Sequence, residues 1–315
     1  MSILVKNICK NYGTNAAVND ISFELSSGEI LGFLGPNGAG KTTTMKMISC
    51  FLPATSGLIE VEGLNVNTDS LEIRKKIGYL PEQNPLYTDM TVTEFLKFCA
   101  KLHQIPKGKL SVRLDEMLTD CGLNEVKNKI ISQLSKGFKQ RVGLAQALIH
   151  DPEVIILDEP TSGLDPNQIV EIRNLIKKLG KSKTVILSTH ILSEVQATCS
   201  RVIIINKGKI VADSSLSEFE KLSQNINSFF IELRTSTEAD SETIMSIIRS
   251  TKNIISIKEE SKSENVFQYI VESSSDSEFR ENFFKKVVEN SWILSEIRTS
   301  KSGLEDVFHK LTQPH

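Results

Sequence analysis

The run FLGPNGAGKTTT, beginning at Phe33, sets Gly35 ahead of Gly40, Lys41 and Thr42 in the pattern G-x-x-x-x-G-K-[ST]. An apolar run precedes it and a helical pattern follows, the setting in which such a loop holds phosphate. The glycines let successive backbone N–H groups face phosphate oxygens, and Asn37, Gly38 and Ala39 complete the turn. Lys41 supplies a point charge to the outer phosphates, the Thr42 hydroxyl is placed to bind Mg2+, and Thr43 continues the set into the helix. A Gly-rich turn with no ligand is the plain alternative, and the strand-loop-helix order weighs against it.

A second chemical group stands at VIILDEP, where four apolar residues lead to Asp158 and Glu159. Carboxylates at the carboxyl end of a buried strand sit where open α/β sheets bind ligands. Asp158 is the candidate Mg2+ ligand and Glu159 the candidate base that polarises an attacking water. His190 ends another apolar run, KTVILSTH, and is placed to reach a γ-phosphate. A lone His is more often structural, but its position after a buried strand favours function. Gln83, in GYLPEQNPL, is a weaker candidate for the metal or the attacking water.

The run LSKGFKQR, Leu134 to Arg141, opens a third anion-suited feature. Ser135 and Gly137 stand where a helix begins, and free N–H groups and the helix dipole favour negative charge there. The first loop already surrounds most of one nucleotide. A second anion site therefore fits the exposed side of a nucleotide held by another copy.

The elements that must position these groups follow from periodicity. Short strands bounded by Gly, Asn or Ser read at ILVKNICK, AAVNDISFEL, EILGFLG and GLIEVEG, with a helix from Lys41 to Phe51. From Thr91 to about His150 the apolar spacing becomes helical, as an insertion. The Val/Ile runs EVIILD, KTVILSTH and RVIIINKG alternate with amphipathic helices, which predicts buried parallel strands with crossover helices and an α/β core. Beyond Leu222 a Ser-rich stretch leads into a βαββαβ order and a last helix, GLEDVFHKLT; that order predicts a ferredoxin-like α+β domain.

Bulk properties narrow the class. The chain has 315 residues, enough for two units, with 39% hydrophobic and 24% charged residues. Its net charge of -2 offers no general attraction to nucleic acid, which is not an expected partner. Cys9, Cys50, Cys99, Cys121 and Cys199 are odd in number and lack CxxC spacing, which argues against disulfides or zinc and for a reducing compartment. The first residues read as no signal peptide, and no window approaches the ~18 apolar residues of a membrane span. The expected location is cytosolic unless a partner holds the chain at a membrane.

GPNGAGKT, the signature run at 134–138, ILDEP, SGLD at 162–165 and STH at 188–190, in that order, resemble the ATP-binding cassette family across roughly residues 2–220. The resemblance implies a P-loop NTPase core with an N-terminal antiparallel β portion and a helical insertion at about 88–150, in a cassette of residues 1–222. Residues 223–315 would then form the accessory domain. It also implies ATP and Mg2+ as ligands and two cassettes, as homodimer or pseudo-dimer, that sandwich two ATPs head to tail. In that arrangement Ser135 and Gly137 touch the γ-phosphate of the partner's ATP, Tyr12 stacks on adenine, and Asp165 lies at the dimer seam.

The signature departs from the usual LSGGQ. Lys136 replaces a Gly, and either adds positive charge near phosphate or points to solvent; Phe138 replaces the Gln and removes its amide. One cassette and no sustained heptads set the chain apart from translation-associated and chromosome-associated members. GYLPEQNPLYTDMTV, LSKGFKQRVGLAQALIHDP, LDPNQIVEIRNLIK and GLEDVFHKLT look similar to ABC-2-type export ATPases, and among them to gliding-motility-associated ATP-binding subunits. Such a subunit implies a polytopic membrane permease as partner and a peripheral place on the cytoplasmic face of the inner membrane. A soluble cassette ATPase acting on ribosomes or DNA is the alternative. For the tail, dimer contacts or docking are favoured over ligand sensing, since no clustered polar side chains mark a pocket.

Overall fold

The computed structural model describes residues 2–219, 227–235, 240–263 and 265–301, with Phe308 and Thr312. The chain divides into two compact units, Met1–Leu216 with Leu311–His315, and Ser217–Lys310. The division comes earlier than 222 because the last strand of the first unit's main sheet ends at Ser215. Thr312 groups with this first unit, its carbonyl accepting from Asn206 Nδ2 at 3.1 Å.

In the first unit, β1 (Ile3–Tyr12) and β2 (Asn15–Leu25) form a hairpin. Toward the end of β2, Ile21, Phe23 and Leu25 are buried while Ser22 and Glu24 face out, the alternation of a half-covered antiparallel strand. With β4 (Ser56–Val61) and β5 (Leu64–Asn65) they make an antiparallel sheet in the order β2-β1-β4-β5.

The second sheet holds β3 (Ile30–Leu34), β6 (Ile77–Leu80), β7 (Val154–Asp158), β8 (Thr184–Thr189), β9 (Arg201–Asn206) and β10 (Lys209–Ser215). Its order is β10-β9-β3-β8-β7-β6, parallel except for the antiparallel β9–β10 pair. Every residue of β7 and β8 is buried, as continuous apolar runs in a sheet covered on both faces require. β6 and the preceding helix α2 (Ser70–Lys76) go unread in the sequence, because four residues are too few to show a period.

Register determines what the strands present. Leu34 pairs with Thr189 and Asp158 with Ser188, so β3, β7 and β8 end together at one edge. From that edge the phosphate-type loop runs into α1 (Lys41–Ile48), the carboxylate pair follows β7, and His190 follows β8.

The helical insertion comprises α3 (Val92–Leu102), α4 (Lys107–Asp120) and α5 (Lys136–Leu148). A reciprocal cap between Thr91 and Glu94 starts α3, whose Val92, Phe95, Leu96, Cys99 and Ala100 are buried. α6 (Pro166–Leu179) has Asp165 as its cap and a proline at its first position, and α7 (Leu192–Thr198) links β8 to β9.

The second unit contains β11 (Asn227–Arg234), α8 (Ser241–Arg249), β12 (Ile254–Ser263), β13 (Val266–Ser273), α9 (Asp276–Glu289) and β14 (Ile293–Lys301). Its sheet order β12-β13-β11-β14 is antiparallel throughout and is the ferredoxin-like arrangement. Phe229, Ile231, Phe267 and Val271 pack with Ile244, Ile248, Phe279 and Phe283 to form its core. The expected last helix, GLEDVFHKLT, lies outside the described residues apart from Phe308 and Thr312.

Candidate active site

A cavity of about 520 Å3 opens where β3, β7 and β8 end. Asn37, Gly38, Gly40, Lys41, Thr42 and Thr43 line one side, and Glu159, Ser162 and His190 another; Glu82 and Ala17 complete it. Gly35 and Ala39 lie outside the lining, and Ala39 is packed in the hydrophobic core. The loop needs glycine at three points, and at Gly35 a Cβ would stand 2.3 Å from the Ile205 carbonyl oxygen. Gly38 has φ 78°, and Gly40 has φ 109° with the Ala17 carbonyl 2.6 Å from where a Cβ would stand.

Lys41 is buried and points back into its own loop. Its Nζ donates to the carbonyls of Gly35 at 2.8 Å and Pro36 at 3.2 Å, and lies 3.5 Å from Glu159 Oε1. The same ammonium faces the cavity, where an anion would compete with these partners.

Glu159 adopts φ 51°, uncommon for a residue with a side chain, and its N–H donates to Ser188 O at 3.0 Å. This turn directs the carboxylate toward Lys41 and His190. His190 Nδ1 lies 3.0 and 2.9 Å from the two oxygens, so an Nδ1–H donates to the carboxylate and Nε2 is the ring's other polar atom.

Asp158 is fully buried. Burial pushes its carboxyl above the usual range, and hydroxyls of Ser188 and Thr42 partly offset this. Ser188 Oγ donates to Oδ1, whereas Oδ2 is buried without a hydrogen-bond partner. A desolvated carboxylate with one oxygen unpaired and a hydroxyl beside it fits a hard cation with oxygen ligands. Among the described residues no group of three or more His, Cys, Asp or Glu side chains is placed to hold a metal ion.

The other expected residues lie elsewhere. Gln83 is exposed in the loop after β6 and outside the lining, where its neighbour Glu82 stands instead. Tyr12, half exposed at the end of β1, is also outside, with Lys10 Nζ 5.6 Å from its ring centroid. Ser135 caps α5 by accepting from Phe138 N–H at 3.3 Å, and Asp165 caps α6 by accepting from Gln168 N–H at 2.9 Å. Gly137 is buried against Gln168, which comes within 2.3 Å of where its Cβ would be. Lys136, exposed, lies along Gly163, and the Phe138 ring sits 5.8 Å from the Arg141 guanidinium.

Sequence reading passed over Ser188 and Glu82. A hydroxyl at the end of the apolar run Val185-Ile186-Leu187 was the signal for Ser188, but its pairing with Asp158 depends on strand register.

The profile of the ABC transporter family matches residues 18–162. The bacitracin transport ATP-binding protein BcrA of Enterococcus faecalis is 32% identical, over 98% of this chain and 96% of its own length. The chain belongs to the ATP-binding subunits of ABC transporters. The linearmycin resistance ATP-binding protein LnrL of Bacillus subtilis (strain 168) is 40% identical over 66% of this chain and 67% of that protein. Among solved structures, a dimeric, post-hydrolysis state of the ATP-binding cassette MJ0796 bound to ADP and Pi superposes with TM-score 0.64 and 28% identity, covering 68% of this chain and 98% of that one. This ABC subunit is therefore an ATPase; its cavity brings Lys41, Glu159 and His190 together.

Proposed function

We propose that the subunit hydrolyses ATP to drive an exporter of the ABC-2 type. The observation that carries this is whole-chain likeness: the similarity to a bacitracin transport protein runs through both units, not the cassette alone. A gliding-motility role is a narrower form of the same proposal and rests on the resemblance of the quoted sequence runs.

In this reading the loop N–H groups and Lys41 hold the β- and γ-phosphates, Tyr12 stacks on adenine, and Glu159 takes the proton of the attacking water. His190, bound to Glu159, steadies that carboxylate and faces the γ-phosphate through Nε2. Asp158, Thr42 and Gln83 are assigned to Mg2+, which when bound neutralises phosphate charge. Ser135, Gly137 and Asp165 act toward the nucleotide of a second cassette. ATP binding closes the pair, and hydrolysis reopens it.

Among the described residues no helix is long and apolar enough to cross a membrane, so the proposed place at the cytoplasmic face depends on a permease. Support for such docking comes from a cavity of about 240 Å3 between β6, α3 and α5. Leu102, 65% exposed, lines it, and Tyr79 Oη, Gln146 Oε1 and His150 Nδ1 are buried there without partners. An amphipathic permease segment would cover the apolar lip.

The test is recovery of tagged Glu159→Gln subunit from its native cells with ATP in mild detergent, followed by mass spectrometry. A co-purifying polytopic membrane protein supports the proposal. Ribosomes or DNA-bound proteins without any membrane protein would overturn it in favour of a soluble cassette ATPase.

A further inference from the structure

Glu194, on α7, is a buried carboxylate, 4% exposed, that lies outside the nucleotide cavity and has both oxygens engaged. Oε1 accepts from the Thr161 hydroxyl, and Oε2 from the Thr189 hydroxyl at 2.7 Å. Thr161 stands two residues beyond Glu159, and Thr189 immediately precedes His190. Thr189 Oγ1 accepts in turn from the Ile191 N–H at 3.1 Å, so the backbone on both sides of His190 belongs to the same network.

We propose that Glu194 is a positioning residue for ATP hydrolysis, its single carboxylate tying the segment that carries Glu159 to the segment that carries His190. The inference rests on the roles given to those two residues above.

Three observations support the assignment. First, the tied segments leave neighbouring strands, β7 and β8, whose pairing ends at Asp158–Ser188 and the Glu159 N–H bond to Ser188 O, and Glu194 carries the connection past those strand ends to Thr161 and Thr189. Second, Glu159 holds a left-handed backbone conformation that persists only where its surroundings over-determine it, and Thr161 is anchored in that turn. Third, burying a carboxylate is costly, and here the charge is met by two hydroxyl donors rather than by a Lys or Arg ion pair among the described residues. A hydrophobic residue would fill the same space without that cost. What the carboxylate adds is two directed bonds to the two segments whose side chains meet at 2.9 Å.

The chemical consequence is geometric. A base displaced by about 1 Å from its productive position can lose roughly 10²-fold in rate while the distant phosphate contacts survive. Loss of the tie should therefore appear in kcat and not in ATP affinity.

The experiment measures ATPase kinetics of full-length Glu194→Ala, Glu194→Gln, Thr161→Val and Glu159→Gln proteins, with nucleotide binding by a fluorescent ATP analogue as the check of folding. The expected result for Glu194→Ala is a kcat lower by roughly 10- to 100-fold with KM and analogue affinity unchanged. Glu194→Gln, which keeps one acceptor oxygen and the shape, should recover part of the loss. Thr161→Val should lower kcat in the otherwise unaltered chain but have no further effect on top of Glu194→Ala. Nitrogen NMR of the nucleotide-free protein supplies an independent readout: the His190 Nδ1 signal, assigned with His190→Gln, should move in Glu194→Ala.

If Glu159→Gln is inactive while the Glu194 variants turn over normally, the positioning role is overturned and the site assignment stands. If the Glu194 variants lose analogue binding in step with turnover, the residue is only structural and the inference also fails. If Glu159→Gln itself turns over at the normal rate, the assignment of the base fails first.

Discussion

His190 Nδ1 faces both carboxylate oxygens of Glu159, at 3.0 and 2.9 Å, although the two residues stand at the ends of different strands. The contact places a proton donor behind the candidate base and leaves the rest of the carboxylate toward Lys41 and the cavity. Four predictions follow from this arrangement and its surroundings.

Glu159→Gln keeps the shape of the side chain but cannot accept the water's proton. Turnover should fall by about 10²- to 10⁴-fold while ATP binding persists. Size-exclusion chromatography with ATP should show a stable dimer, and rapid hydrolysis by this variant would contradict the role.

Lys41→Ala removes the ammonium that, among the described residues, lines the cavity beside the glycine-rich loop. A charge-assisted hydrogen bond contributes about 1.5–3 kcal/mol, so nucleotide affinity should drop roughly 10- to 100-fold by calorimetry. The fold should survive, because Glu159 retains His190 as a partner. Unchanged affinity would rule out the phosphate role.

Ser135→Arg tests the second cassette. The substitution removes the cap of α5, at about 1 kcal/mol, and places a bulky cation where the partner's nucleotide would approach. Binding of ATP to the isolated chain should be unaffected and turnover abolished; parallel loss of both would argue against sandwiching in trans.

His150 makes stability depend on pH. Its ring stacks on His103 with centroids 3.8 Å apart, and burial, with a smaller contribution from His103, lowers its pKa to about 4. The unfolded chain, with a pKa near 6.5, binds the extra proton first. Stability is therefore full above about pH 6.5 and falls as pH drops toward 4, by up to about 3 kcal/mol. His150→Phe, which keeps an aromatic ring beside His103, should flatten that decline in thermal melts recorded from pH 7 to pH 5.

Local pattern made much of this chain readable. The loop Gly35–Thr43 is legible because phosphate binding requires particular residues at adjacent positions, and the runs at 154–158 and 184–189 are legible because doubly covered strands are apolar throughout. The βαββαβ order of the second unit was equally open, since each element there carries its own period.

The remaining features depend on contacts between distant segments. β6 is too short to show a period, and which of the adjacent loop residues Glu82 and Gln83 lines the cavity is decided by the turn, where Glu82 lines it and Gln83 does not. Ser188 meets Asp158 through the register of β7 against β8, and Glu194 meets Thr161 and Thr189 through the packing of α7 under both strand ends. The sequence by itself determined the longer strands and helices, the glycine-rich loop and the carboxylate pair, because those are written in neighbouring residues. Only the tertiary structure decided which buried hydroxyls and carboxylates hold the chemical groups in place, because a hydrogen bond between residues thirty positions apart leaves no trace in either local sequence.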